Sequence, residues 1–372
     1  PVISMLKLHT SYGLMGNSEI DTYQSLSVIA QEKAIIGGEV VSTSRLENMP
    51  NNDLKWEKTA QFDLGVNLGL FKDRLSFDVS FYHKYTSDLL YKRPLPFSTG
   101  YSEVMANIGE VSNRGLDLMI NGTPIMNRDF TWTSTLNLNF NKNKVEKLGA
   151  NDETIWENWG ALKVGESLSS FSGFEWLGIY DSGDQIGRSK IATEKSILGK
   201  GLPDWTGSFI NNFSYKNFDL TLDMQFMWGV DVLQDFLHST QSRFLTSGLS
   251  TILTDAWTPT NTDTNVQMIY NRQYGDSYSD QNFNSSWIAD GSYFRLNLVQ
   301  LGYTLSKSAV QKIGLQNLRV YFNVNNAFML CSKDFKGYDP ESSSKNATWG
   351  QNVMFFAYPK ARTFTLGASV TF

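Results

Sequence analysis

The chain has 372 residues, a formal net charge of −5, 13% aromatic residues and a single cysteine. The near balance of charge excludes the basic footprint that nucleic-acid binding requires. Cys331 alone excludes an internal disulfide or a cysteine-rich zinc site, and His9, His83 and His238 lack metal-ligand spacing, so no metal or cofactor is expected.

No run of about 18 apolar residues exists to make a transmembrane helix. Asn, Ser, Thr and Gly beside 24 Phe, 16 Tyr and 10 Trp make a strand-and-turn composition. The chain opens on Pro1-Val2-Ile3-Ser4 with neither an initiator Met nor a signal peptide, and reads as a fragment or a processed chain.

Taken in chain order, the first strand is predicted over about 2–13. Over 61–70, Phe62, Leu64, Val66, Leu68 and Leu70 share one face, opposite Asp63, Gly65, Asn67 and Gly69. Past Lys72-Asp73, Leu75, Phe77, Val79 and Phe81 oppose Ser76, Asp78, Ser80 and Tyr82, which predicts a hairpin. A strand at 113–122 precedes 130–141, where Trp132, Leu136, Leu138 and Phe140 oppose Thr131, Thr133, Thr135, Asn137, Asn139 and Asn141.

Another strand is predicted over 170–181. Two runs then meet at Lys216-Asn217. The first carries Phe209, Phe213 and Tyr215; the second sets Phe218, Leu220, Leu222, Met224, Phe226 and Trp228 against Asp219, Thr221, Asp223 and Gln225. Strands at 293–305 and 317–328 follow. The last, 363–372, alternates Phe364, Leu366, Ala368, Val370 and Phe372 with Thr365, Gly367, Ser369 and Thr371.

These are about eleven strands, mostly about 10 residues or longer, which suits a tilted bilayer crossing. A short loop helix fits within 231–256. Connections alternate between short turns (71–74, 123–129, 216–217, 306–316) and long loops (14–56, 88–112, 143–169, 182–203, 230–291, 329–361). A soluble domain rarely carries several such loops, whereas a membrane barrel with tight turns at one end expects them.

A soluble β-sandwich is the competing reading. Three features favour the barrel. Polar faces are Thr, Asn, Ser, Gly and Asp with few Lys or Glu. Aromatics flank the apolar runs: Tyr91 and Phe97 after one strand, Phe130 and Trp132 opening another, Phe226 and Trp228 closing a third. The chain also ends on an amphipathic strand with Phe372. Eleven is half of about 22, the count of plugged outer-membrane transporters. The expected fold is therefore all-β: a transmembrane antiparallel β-barrel of which residues 1–372 are the C-terminal part, with the plug and N-terminal strands outside this chain.

The sequence resembles the SusC/RagA family of TonB-dependent transporters. The segments carrying the resemblance are Leu6-Lys7-Leu8 with Ser11-Tyr12-Gly13 and Gly16-Asn17, Asp53-Leu54-Lys55-Trp56-Glu57, and Asp88-Leu89-Leu90 through Pro94-Leu95-Pro96 to Ser98-Thr99-Gly100-Tyr101. Asn107-Ile108-Gly109-Glu110-Val111-Ser112-Asn113-Arg114-Gly115 continues it, with Asp117 where Glu is common. Trp257-Thr258-Pro259, Asp290-Gly291-Ser292-Tyr293-Phe294-Arg295-Leu296 and Gly337-Tyr338-Asp339-Pro340-Glu341 complete the order. Their Gly and Pro residues have an architectural reading as bulges, stops and stiff loops.

The resemblance implies an outer-membrane importer of bulky hydrophilic nutrients, mostly glycans and sometimes oligopeptides. It implies a SusD-like surface lipoprotein as lid and TonB coupling through the plug. Within this chain, Asn137, Asn139, Asp219, Asp223 and Gln225 are candidate lumen residues, because they hydrogen-bond with little charge. Trp156, Trp159, Trp257 and Trp287 are candidate sugar platforms, with packing as the alternative and packing favoured for Trp257.

Catalysis is not expected. Asp181, Asp184, Asp276 and Asp280 suit acidic turns, and Gly183 and Gly187 make no phosphate loop. An oligopeptide importer, an adhesive surface barrel and a passive porin remain the competing functions.

Overall fold

The computed structural model describes residues 2–18, 25–46, 49–101, 103–157, 159–241, 251–269, 283–312, 314–341 and 352–372. One antiparallel sheet dominates it. Its ten strands are β1 (Ile3–Asn17), β4 (Glu57–Leu70), β5 (Leu75–Pro94), β6 (Glu103–Met126), β7 (Phe130–Leu148), β12 (Trp205–Tyr215), β13 (Phe218–Trp228), β16 (Tyr293–Thr304), β17 (Asn317–Cys331) and β18 (Thr363–Thr371). Spatial order follows chain order, so the sheet is a plain meander.

The smaller strands belong to the long connections. β2 (Ile29–Ile36) and β3 (Glu39–Leu46) make a hairpin before β4. β8 (Ile155–Trp156), β9 (Gly160–Leu162), β10 (Ser170–Ile179) and β11 (Ser189–Lys200) form a four-stranded sheet between β7 and β12. β14 (Asp231–Leu233) pairs with β15 (Ile288–Asp290), and a short helix, α1 (Asp235–Gln241), occupies the expected loop.

Alternation dictates the two faces of the meander. Phe140, Trp205 and Trp228 stand in register with Phe81 and Leu116 near the loop end of the apolar face. Near the turn end, Phe130, Tyr215, Phe218 and Tyr303 form a second row. Rings meet within both rows, Phe140–Trp205 at 4.8 Å and Phe218–Tyr303 at 4.7 Å between centroids.

β13 joins the two rows over eleven residues. Ten steps of about 3.4 Å, tilted about 45°, raise the chain about 24 Å along the bilayer normal. That is the height of the apolar band of an outer-membrane barrel, about 25 Å between aromatic girdles.

Phe71, Lys72 and Asp73 take φ of 53°, 60° and 61°, and the Ser4 hydroxyl accepts from Lys72 N at 2.7 Å. Asn127 Oδ1 accepts from Asp129 N at 3.1 Å, an Asx turn, and from Phe130 N at 2.8 Å, closing the β6–β7 turn.

Two expectations need correcting. The predicted strand 170–181 is β10, which pairs with β9 and β11 and not with the meander. Its physical reason is two-sided burial: Ser170, Phe171, Ser172 and Gly173 are all buried, whereas a barrel strand faces lipid on one side. The predicted loop 88–112 is mostly strand, because β5 runs to Pro94 and β6 begins at Glu103. A bulge after Thr86, with Asp88 at φ 58°, shifts the side-chain phase and hides the continuation.

Above the girdle the strand extensions and the loops hold cores of their own. Tyr91, Val111, Val145, Leu148 and Leu162 form one; Phe171, Leu233, Leu237, Trp287 and Val353 form another. Among the described residues, the meander's edges, β1 and β18, are unpaired on their outer sides. Lipid does not tolerate an open backbone ladder, so closure requires further strands.

Candidate functional site

Residue register builds the site. Asn67, Asp78, Met119, Asn137, Ser208 and Gln225 lie side by side across β4 to β13. One row nearer the loops, Ser80, Asp117, Asn139, Thr206 and Met227 do the same. All of both rows but Asn67 line a concave cavity of about 650 Å³, together with Asp223 and Asn297. No Lys, Arg or His lines it.

Amides satisfy the carboxylates. Asn67 Nδ2 donates to Asp78 Oδ2 at 2.6 Å, Asn139 Nδ2 donates to Asp117 Oδ1, and Asn297 Nδ2 reaches Asp223 Oδ2 at 3.4 Å. Asn137 Nδ2 donates to Ser208 Oγ at 3.0 Å. A neutral donor orients a carboxylate without cancelling its charge. The wall is therefore hydrated, rich in hydrogen-bonding groups and mildly anionic.

Four of the five expected lumen residues meet here: Asn137, Asn139, Asp223 and Gln225. Asp219 does not. It sits near the turn end, where Arg319 Nε donates to its Oδ1 at 3.0 Å and Arg319 Nη2 to its Oδ2. Gly302 stands opposite Asp219, and any Cβ there would strike both partners. Asp78, Ser80, Asp117 and Ser208 were not singled out from sequence. Asp78 and Ser80 lay on the polar face already read, and Asp117 had drawn notice only as a departure from a motif.

The tryptophans separate. Trp287 is only 5% exposed, within the loop core around Phe171 and Leu233, and Trp159 packs against the same core. Trp287 thus presents no open ring face, which corrects its expected role as a sugar platform. Trp257 is buried, as the packing alternative held, and its ring lies against Gly187. Trp156 is 40% exposed and borders a second cavity of about 550 Å³ with Arg93, Asn151 and Glu153. An aromatic face beside an amide and two charged groups is suited to a pyranose ring.

An ion cluster with a buried Arg295–Asp339 pair at its centre fastens a long loop to the wall. Arg295 Nη2 donates to Asp339 Oδ1 at 2.5 Å, and its Nη1 lies 3.3 Å from Glu341 Oε2. Lys360 Nζ pairs with Glu341 at 2.6 Å. Two segments read as family motifs, 290–296 and 337–341, therefore meet as one structural contact.

In the loops, burial raises the Asp231 carboxyl above its ordinary value, and the charges of Asp290 and Asp204 act in the same direction. The Lys200 N–H, bonded to Asp231 Oδ2 at 2.9 Å, opposes the shift.

Among the described residues, no group of three or more His, Cys, Asp or Glu side chains could hold a metal ion. Asp181 accepts from Ser182 Oγ at 3.0 Å in a turn. Asp276 and Asp280, and the side chains of Phe97 and His238, lie outside the described residues.

A lipid-facing apolar band, two aromatic girdles and a polar concave wall define part of an outer-membrane β-barrel. The chain matches the family model described as TonB dependent receptor-like, beta-barrel over residues 20–327, and it belongs to that family.

Relatives and solved structures agree. The chain is 33% identical to TonB-dependent receptor P3 of Formosa agariphila, across 100% of its own length and 40% of that protein. It is 31% identical to TonB-dependent receptor SusC of Bacteroides thetaiotaomicron, across 100% of its own length and 38% of that protein. It superposes on a chain of the RagAB peptide transporter with a TM-score of 0.80 and 25% identity, over its full length and 41% of that chain. The receptor is of the SusC/RagA type, and this chain spans about two fifths of the curated relatives it matches.

Proposed function

We propose that this chain is the C-terminal part of the barrel of a TonB-dependent importer of neutral oligosaccharides. A SusD-like lipoprotein closes over its loops, and energy reaches it through a plug carried by other parts of the protein. The observation carrying the reading is the lumen wall: amides, hydroxyls and amide-held carboxylates line the cavity without a cation. Such a wall exchanges hydrogen bonds with a polyol as water does, so a sugar moves along it without deep traps. Trp156 supplies a half-exposed ring at the loop end for the first contact. The chain serves as wall and mouth of a conduit, with no catalytic step.

A second reading, oligopeptide import, draws support from the likeness to the RagAB peptide transporter. An anionic wall also accommodates cationic peptide side chains.

Uptake of labelled oligosaccharide and labelled peptide by intact cells separates them. The first reading expects oligosaccharide uptake that disappears on gene deletion and on loss of TonB. Peptide uptake alone supports the second. Uptake that survives without TonB makes the protein a porin, and no uptake of either leaves an adhesive barrel.

A further inference from the structure

The outer face of β5, β6 and β7 changes character abruptly. Phe81, Leu116 and Phe140 form the girdle row; one step toward the loops, His83, Arg114 and Lys142 stand in register on the same face. Directly opposed cross-strand side chains have Cβ atoms about 5 Å apart, and like charges there repel. Arg114 and Lys142 are exposed, and neither takes part in an ion pair among the described residues. His83 Nε2 is buried without a hydrogen-bond partner.

The nearest carboxylates make their hydrogen bonds elsewhere, and Glu146 feels the Arg114 charge without pairing with it. Glu146 holds Lys144 Nζ at 2.7 Å and accepts from Ser112 Oγ at 2.6 Å. Glu110 takes the Tyr85 hydroxyl. A basic row without a direct ion pair among the described residues thus lies at the height where the apolar band ends and lipid headgroups begin.

We propose that His83, Arg114 and Lys142 form a site for the phosphate of a phosphorylated glycolipid in the outer leaflet. The acyl chains lie against Phe81, Leu116 and Phe140, and the phosphate bridges the guanidinium and ammonium groups that otherwise repel. Arg114 offers a planar fork to two phosphate oxygens and Lys142 a point charge, with the His83 ring beside them in the row. Charge complementarity selects the ligand. The site lies on the outside of the barrel and is separate from the import path.

The test uses the purified full-length protein in detergent, titrated by native mass spectrometry with diphosphorylated lipid A, dephosphorylated lipid A and inorganic phosphate. The expected result is that R114Q/K142Q weakens binding of the phosphorylated lipid by about tenfold or more, the change for one lost charge-assisted bond. Dephosphorylated lipid is expected to bind wild type and variant alike.

Equal binding of the phosphorylated lipid by wild type and variant overturns the assignment. Phosphate alone binding as tightly as the lipid also overturns it, leaving a free-anion site. Unchanged lipid binding with a shift from dimer to monomer assigns the face to a second copy. K142Q alone, at an exposed position, repeats the test where the double variant fails to show heat-modifiable migration.

Discussion

Replacing Arg295 by Met tests how the long loop after β17 is held. The Arg295 and Asp339 side chains are 3% and 5% exposed, so the loss leaves a buried carboxylate without its guanidinium. Breaking a buried pair from one side costs about 3–5 kcal/mol, because the remaining charge stays desolvated. At about 1.4 kcal/mol per factor of ten, hydrogen-exchange protection around residues 335–341 should fall by about two to three and a half powers of ten, or vanish if the loop's own stability is smaller.

Lys360 Nζ pairs with Asp339 Oδ2 at 3.9 Å, beyond hydrogen-bond distance, so it does not replace the lost Arg295 bond. The double variant Arg295→Met/Asp339→Asn removes both charges and should recover much of that protection. Exchange measured on the barrel in detergent, with peptides from β13 as the rigid reference, reads the effect. Unchanged protection in the single variant, or a double variant as unprotected as the single, refutes the reasoning.

Other perturbations follow from the same structure. Leu222→Arg, on the lipid face midway along β13, should cost about 2–4 kcal/mol in chemical unfolding from vesicles; Thr221→Arg, on the lumen face beside it, should cost far less. Trp287→Ala should remove about 3–5 kcal/mol from the core around Phe171 and Leu233. Limited proteolysis should then cut the loops while the barrel still migrates as folded.

Asp231 has a raised carboxyl, so its ionised form weakens the folded loops at neutral pH. Acidification through the raised value, toward the ordinary carboxylate value of about 4, should therefore stabilise the β14–β15 pair, with no further gain below it. Asp231→Asn should abolish that rise in a pH series of hydrogen exchange.

The lipid and lumen faces were legible because a membrane barrel has only two environments and a strand alternates between them. Asn137, Asn139, Asp223 and Gln225 follow from parity alone, as does the row from Phe218 to Trp228. The same parity misassigned 170–181. Phe174 and Trp176 alternate with Gly173 and Glu175 as a barrel strand would, and only the packing of Phe171 with Leu233, Leu237 and Val353 reveals a loop core.

The extensions of β5 and β6 were hidden by the bulge near Asp88, which reverses the faces midway. Trp287 looked like an exposed loop aromatic because the buried residues around it, Phe171, Leu233, Leu237 and Val353, lie far from it in sequence on either side. Arg295 and Asp339 were each visible as parts of motifs, and their pairing was not, since no local pattern links β16 to a loop beyond β17.

The most direct test of the import account is purification of the full protein from native outer membrane, followed by mass spectrometry of bound proteins and small molecules. The account predicts a SusD-like lipoprotein and an oligosaccharide retained with the barrel. A barrel recovered without a lipoprotein and with an empty lumen would contradict it.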